Sequence, residues 1–311
     1  MSILVIGGTG FIGRRVVRRL AQLGAEIVCT DINSDAACFA DLHKQVKFVR
    51  SDLSRFDELM EVMALAKPSV VVNLGYLFGE NPPRIATKVN VVGVDNCFEA
   101  SRLLGVQHVV YASSTAVSGK QSSHSKSVID ENDPTFPTSQ YGVHKVFNEF
   151  QAFDYRSKYG MRITGIRIGN VAGPDKFRGS IDHVDCITYP TRGRLVTLPY
   201  RDLMRCVIHV EDIADVFARI ALAAQPKHNI YFSGGAVLSL GQLADIVAEF
   251  LPEAKIEFTH ETGGRDASGA YSFDNSRLLS EFGFEYPPYR TRVLDIINDV
   301  RRSEGLPPII A

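Results

Sequence analysis

Ile3-Leu4-Val5-Ile6-Gly7-Gly8-Thr9-Gly10-Phe11-Ile12-Gly13 carries the strongest fold signal in the chain. Ile3 to Ile6 is an apolar run of strand length, and from Phe11 to Leu23 apolar residues recur at helical spacing. The glycines between them make a tight turn. Gly8, Gly10 and Gly13 satisfy G-x-G-x-x-G, and Gly7, Gly10 and Gly13 satisfy G-x-x-G-x-x-G. A plain glycine turn is the simpler alternative, but the position between a strand and a helix is the context that a dinucleotide fingerprint requires. In that context the backbone approaches a pyrophosphate closely, and the helix start offers it unpaired N–H groups and a positive dipole end.

Taken as a whole, 311 residues suffice for one large α/β domain or a domain with a smaller partner. A 45% apolar and 22% charged composition is that of an ordinary globular chain. The net charge of −1 comes with no basic tract, so no nucleic-acid surface is expected. Apolar runs are strand-sized, so no membrane span is expected, and the strand at residue 3 leaves no room for a leader. Cys29, Cys38, Cys97, Cys186 and Cys206 show neither a C-x-x-C pair nor metal-ligand spacing with histidine. They read as reduced structural thiols in a cytoplasmic protein with no metal site.

Beyond the first helix, strand and helix alternate. Glu26 to Thr30 is a second strand ending at Asp31, about 20 residues past the glycines, where an acid holds an adenosine ribose by its hydroxyls. A carboxylate there repels a 2′-phosphate, so NAD is expected over NADP. Val46 to Val49 is a third strand running into Asp52-Leu53; Asp52 is a candidate for the adenine amino group or, equally, a helix N-cap. Val70 to Leu74 is a nearly all-apolar fourth strand ending at Gly75. Residues 76–83 form a loop over the carboxyl ends of the strands, and a long helix from Ile85 to Leu104 carries Asn90. A fifth strand delivers Ser113-Ser114-Thr115, and the polar run 119–126 reads as a mobile surface loop or lid. Tyr141 and Lys145 stand at i and i+4, on one face of a helix reaching Tyr159. Met161 to Ile168 is a sixth strand. The pattern predicts a Rossmann-type, doubly wound parallel sheet over 1–174 with returns at about 205–238. A smaller α/β substrate lobe takes 175–204 and 239–311, its first part loop-rich.

Serine, tyrosine and lysine beside a dinucleotide suit hydride transfer. Removing hydride from a carbinol carbon requires its hydroxyl proton to go to a base, and reduction uses the same group as an acid. A free tyrosine, with a pKa of about 10, is too weak a base at neutral pH. A lysine ammonium one turn away would favour the phenolate, and a serine hydroxyl would hold the reacting oxygen.

These residues together resemble the extended short-chain dehydrogenases/reductases, in their NAD-dependent epimerase/dehydratase branch. The resemblance is carried by Gly7 to Gly13, Asp31, Asp52-Leu53, the strand ending at Gly75, Asn90-Val91-Val92-Gly93, Ser113-Ser114-Thr115, Tyr141-x-x-x-Lys145, Asn170 to Pro174 and Ile208 to Asp212. It implies Tyr141 as acid/base, Lys145 as its modulator and Ser114 as the orienting hydroxyl. It implies NAD contacts at Gly7, Gly10, Phe11, Ile12, Gly13, Asp31, Asp52, Leu53, Leu74, Gly75, Asn90, Tyr141 and Lys145. Substrate contacts fall on Ser114, Thr115, Asn170 and Arg205, with Arg205 on a phosphate and Arg265 near the position of a second such arginine. A homodimer through the Asn90 and Tyr141 helices is a further implication.

Thr115-Ala116 stands where the dehydratases of the family carry an acidic pair, which argues against elimination. The stretch from Asn170 to Arg205 is shorter than in sugar-nucleotide enzymes, which favours a smaller polar substrate. The expected activity is NAD-dependent hydride transfer at a secondary alcohol or ketone of a carbohydrate-like or acid-bearing small molecule. A nucleotide-sugar epimerase that retains its NAD is the nearest alternative, and a non-catalytic nucleotide sensor the most distant.

Overall fold

A computed structural model describes residues 1–33, 37–79 and 81–310, so Glu80, in the expected 76–83 loop, lies outside the described residues. The first half runs β1 (Ser2–Ile6), α1 (Gly13–Gln22), β2 (Glu26–Asp31), β3 (Val46–Arg50), α2 (Phe56–Ala66) and β4 (Val70–Asn73). It continues through α3 (Pro83–Thr87), α4 (Gly93–Leu103), β5 (His108–Ser114), α5 (Gln140–Tyr159) and β6 (Ile163–Ile168). Then come β7 (Asn170–Ala172), α6 (Asp182–Thr191), β8 (Val196–Tyr200), β9 (Met204–His209) and α7 (Val210–Leu222). The chain ends with β10 (Ile230–Phe232), β11 (Ala236–Ser239), α8 (Leu240–Phe250), β12 (Ile256–His260), α9 (Ser276–Phe282) and α10 (Tyr289–Ser303).

A seven-stranded sheet has the order β10-β6-β5-β4-β1-β2-β3. The pairs β1–β2, β1–β4, β2–β3 and β4–β5 are parallel. Strand order reverses at β1, between β2 and β4, and such a reversal opens the crevice in which doubly wound sheets bind ligands. Both faces of β1 and β4 are covered, as the apolar runs Ile3–Ile6 and Val70–Val72 require. Leu4, Ile6 and Val71 share one core with Leu59 and Met63 of α2 and Phe98 of α4.

The chain divides into two compact units: residues 1–117, 139–167 and 211–231, and residues 118–138, 168–210 and 232–311. The second unit contains the β11-β9-β7 sheet and the β12-β8 pair. Its core joins Val184 and Ile187 of α6, Leu198 of β8, Leu243 and Val247 of α8, and Ile296 and Ile297 of α10. The return to the first unit comes at residue 211, because β9 pairs with β7 and β11 in a sheet of its own.

The structure corrects two expectations and refines a third. Residues 175–204 are more regular than loop-rich: α6 and β8 form there, and Pro190 falls in the last turn of α6, whose buried Val184, Cys186 and Ile187 hold the helix despite it. The 119–126 run is pinned rather than lid-like. Gln121 Oε1 accepts from the Tyr271 and Ser272 amides, both at 3.1 Å, and Ser122 Oγ donates to Asp266 Oδ2 at 2.5 Å. The helix through Asn90 passes through a π-helical turn at Lys88–Val92 between α3 and α4.

No helix among the described residues is long and apolar enough to cross a membrane.

Helix α2 ends on Lys67 at φ 45° and ψ 53°, where an L side chain meets its own backbone. Glycine adopts that conformation without a Cβ clash, at the cost of a more flexible unfolded chain. Lys67→Gly is expected to stabilise the fold by about 0.5–1 kcal/mol, read as a higher urea midpoint at unchanged slope.

Candidate active site

The site starts from backbone contact. Gly7 has φ +74°, and a Cβ on it would lie 2.7 Å from the Gly75 nitrogen. A Cβ on Gly13 would lie 2.1 Å from the Gly7 carbonyl oxygen. Only hydrogen fits at these two points, so the turn, the start of α1 and the end of β4 close on one another. Leu74 N donates to Ile6 O at 2.9 Å, and Asn73 Oδ1 accepts from Gly75 N at 3.0 Å, which continues the β1–β4 alignment past both strands. Ile12 caps α1 with no side-chain hydrogen bond, and the first turn carries no acid. The amides around Phe11, Ile12 and Gly13 therefore lie at a helix end with no side-chain cap bond and no acid in its first turn, which fits the pyrophosphate of a dinucleotide.

Asp31 closes the other side of the turn. Its Oδ2 accepts from Thr9 N at 3.1 Å and its Oδ1 from Asn33 N at 3.2 Å, which sets a carboxylate against the glycine turn. Asp52 does not cap a helix: α2 has Arg55 at its N-cap, and Asp52 Oδ1 accepts from Ser54 N at 2.8 Å. Leu53 packs on Gly75 and Gly93, where a Cβ would meet its side chain at 2.9 and 3.0 Å.

Ser139 caps α5 through a 3.1 Å bond from Gly142 N, so the helix begins immediately before Tyr141. The Tyr141 side chain is hydrogen-bonded to that of Ser114, at the end of β5. Ser114 Oγ also accepts from Ala116 N at 3.1 Å. Lys145, one turn further, is 3% exposed and donates from Nζ to Ala112 O at 2.6 Å. The expected Ser114–Tyr141–Lys145 group is thus brought together.

Burial pushes Tyr141 up to about 12, against a smaller lowering by the Ser114 hydrogen bond. Burial also pushes Lys145 down to about 7, against the attraction of Glu149. Lys145 Nζ lies 5.7 Å from the centroid of the Tyr141 ring and 3.7 Å from that of Tyr76.

Four further residues, Glu149, Tyr76, Phe78 and Asn148, support this face and were not singled out from sequence. Glu149, one turn past Lys145, accepts from Ser113 Oγ at 2.5 Å and from Arg167 Nε and Nη2 at 3.0 and 2.8 Å. Tyr76 and Phe78 contact Tyr141, with centroids at 5.2 and 5.0 Å, and each other at 5.4 Å. Asn90 is committed to that segment: its Oδ1 accepts from Leu77 N at 2.8 Å and its Nδ2 donates to Leu77 O at 3.0 Å. Asn148 Nδ2 in turn donates to Asn90 O at 2.9 Å. The spacing Tyr141, Lys145, Glu149 was a usable signal; the Tyr76 contact had none.

The remaining expected residues lie outside this group. Thr115 opens a short 3₁₀ turn after β5. In the second unit, Asn170 begins β7, opposite Val207. Arg205, 3% exposed, is held by Asp182: its Nε donates to Oδ1 at 3.1 Å and its Nη2 to Oδ2. Asp182, despite burial, is held far below the ordinary carboxylate range by hydrogen bonds and charge from His183 and Arg205. Arg265 Nε donates to the Tyr271 hydroxyl at 3.0 Å. Among the described residues, no group of three or more His, Cys, Asp or Glu side chains is arranged to hold a metal.

The fold and site define an enzyme of the short-chain dehydrogenase/reductase type with a dinucleotide cradle. Residues 3–232 match the NAD dependent epimerase/dehydratase family, and the chain belongs to it. A UDP-glucose 4-epimerase of Mycolicibacterium smegmatis is 32% identical over 263 residues, which is 80% of this chain and 82% of that protein. The UDP-glucose 4-epimerase of Thermus thermophilus, solved in complex with NAD, has a TM-score of 0.84 at 24% identity, over 97% of this chain and 99% of that one. L-threonine dehydrogenase from Clostridium difficile shares the fold with a TM-score of 0.85 at 19% identity, over 97% and 98% of the two chains. The cofactor of the family is NAD, and the glycine turn and Asp31 fit it.

Lys145 generates a pH-dependent stability. Between about 7 and its ordinary 10.5 the unfolded chain binds a proton that the folded chain lacks. The unfolding free energy contributed by this group therefore rises with pH across that window. Lys145→Met lacks the effect, so the stability of the wild type relative to this variant is expected to grow as pH rises above about 7. Urea unfolding of both proteins over a pH series checks it; two parallel pH dependences would refute the buried-amine assignment.

Proposed function

We propose that this protein catalyses NAD-dependent hydride transfer at a secondary alcohol or ketone of a polar, carbohydrate-like or acid-bearing small molecule. The observation that carries the reading is the grouping of Ser114, Tyr141 and buried Lys145 in the same unit as the glycine cradle. Bound NAD supplies the hydride acceptor. Ser114 holds the substrate oxygen beside the phenol, and Tyr141 takes the hydroxyl proton as the hydride leaves, or returns it in reduction. Lys145, anchored on Ala112 O, orients the nicotinamide ribose and delivers positive charge toward Tyr141. Lys145, joined by the positive charge that a bound nicotinamide would bring, would oppose the burial that holds Tyr141 high.

The closure of Arg205 by Asp182 supports a small substrate: a phosphate would have to compete with a half-buried carboxylate for the guanidinium. The likeness to an M. smegmatis UDP-glucose 4-epimerase supports the second reading, an epimerase with retained NAD. NAD content after denaturing release separates the two. Near-stoichiometric NAD supports epimerisation, to be followed by UDP- and GDP-sugars; an empty site supports a dehydrogenase, to be followed by NADH formation over sugars, hydroxy acids and polyols. Tyr141→Phe is expected to lower turnover by about 10²–10⁴-fold while NAD affinity holds. Full activity in that variant would end the assignment.

We also propose a cytoplasmic homodimer. Cys29, Cys97, Cys186 and Cys206 are buried thiols, in keeping with a reducing compartment. On α5, Val143, Phe147, Phe150 and Phe153 are 51%, 50%, 68% and 56% exposed, an apolar surface that a second copy would cover. Phe150→Glu is expected to yield monomer in sedimentation velocity; an unchanged species would place the interface elsewhere.

A further inference from the structure

Tyr76 follows Gly75 at the end of β4 and is bulky where the chain turns over the site. Its ring face lies 3.7 Å from Lys145 Nζ, and its edge meets the Tyr141 ring at a 5.2 Å centroid distance and 86°. Its hydroxyl is buried without a hydrogen-bond partner among the described residues. The ring is therefore held through its faces and backbone rather than through its oxygen. The backbone hold is the pair of Asn90 bonds to Leu77, the next residue, backed by Asn148.

Lys145 has few other partners. Tyr141 and Glu149 face it from α5, His144 adjoins it in sequence, Ala112 O accepts its hydrogen bond from β5, and Glu149 is itself shared with Ser113 and Arg167. With three donors and one carbonyl acceptor, the ammonium needs a further electron-rich surface in a place water barely reaches. The negative face of an aromatic ring at this distance is such a surface.

We propose that Tyr76 is a positioning residue for Lys145: its ring face supplies the cation–π seat that keeps the lysine charged and aimed along the Tyr141 side of α5. The seat makes the state of Lys145 depend on the segment after β4, which Asn90 pins. The inference rests on the role assigned to Lys145 above, but its test needs no substrate and so fails or holds separately from the proposed reaction.

The titration of Lys145 is followed by ¹³C NMR in the full-length protein labelled at lysine Cε, its resonance assigned with Lys145→Met. Leucine keeps water out but offers no π face, so Tyr76→Leu is expected to lower the Lys145 midpoint by about one pH unit. Tyr76→Phe keeps the ring and is expected to leave the midpoint in place. Should Tyr76→Leu fail to fold, pentafluorophenylalanine at position 76 keeps the ring shape and removes its negative face, with the same expected fall. A midpoint unchanged or raised by loss of the π face would overturn the proposal, because the ring would then act only by excluding water. A fall in Tyr76→Phe equal to that in Tyr76→Leu would also overturn it, by assigning the effect to the hydroxyl.

Discussion

Everything at the site depends on one close approach of main chain to main chain. Gly7 lies against Gly75 and Gly13 against Gly7, at distances that admit no Cβ. The contact joins the ends of β1 and β4, where the strand order reverses, to the first turn of α1. A side chain at Gly7 or Gly13 would force strand, turn and helix apart. The amides at the start of α1 would then lose their common direction, so the same atoms that pack the fold shape the turn that fits a dinucleotide.

A second constraint is the face of α5. Tyr141, Lys145 and Glu149 recur at the helical repeat and point one way. Glu149 is tied to Arg167 and Ser113, which belong to β6 and β5, so this face is fastened to two strands of the sheet. Burying a lysine costs free energy that neither a single carbonyl nor Glu149 fully offsets, and its pKa of about 7 reflects that. Such a group responds strongly to small changes in its surroundings.

Much of the first unit was legible from the sequence because its signals are local. A strand buried on both faces must be apolar throughout, a turn that admits no Cβ must be glycine, and two residues four apart on a helix must share a face. The stretches Ile3–Gly13, Val70–Gly75 and Tyr141–Lys145 are all of this kind. Residues 175–204 were less legible, since Pro190 reads as a breaker while the buried apolar face that preserves α6 is supplied by α8 and α10. The 119–126 run has the composition of a mobile loop, yet its bonds go to residues 266–272, about 150 positions away.

The order of residues alone was enough for the parallel sheet, the glycine turn, the acid that follows β2 and the serine–tyrosine–lysine group, because each is set by backbone geometry or short-range spacing. What those groups rest against came from packing. Folding put Tyr76 on Lys145, Arg167 on Glu149, and Asp182 on the arginine read as an anion contact. It also moved the charge balance of the site, since burial and neighbouring charge are properties of packing between distant segments. Residue identity says which groups can ionise or donate; the dielectric and the partners that govern how they do so belong to the folded chain.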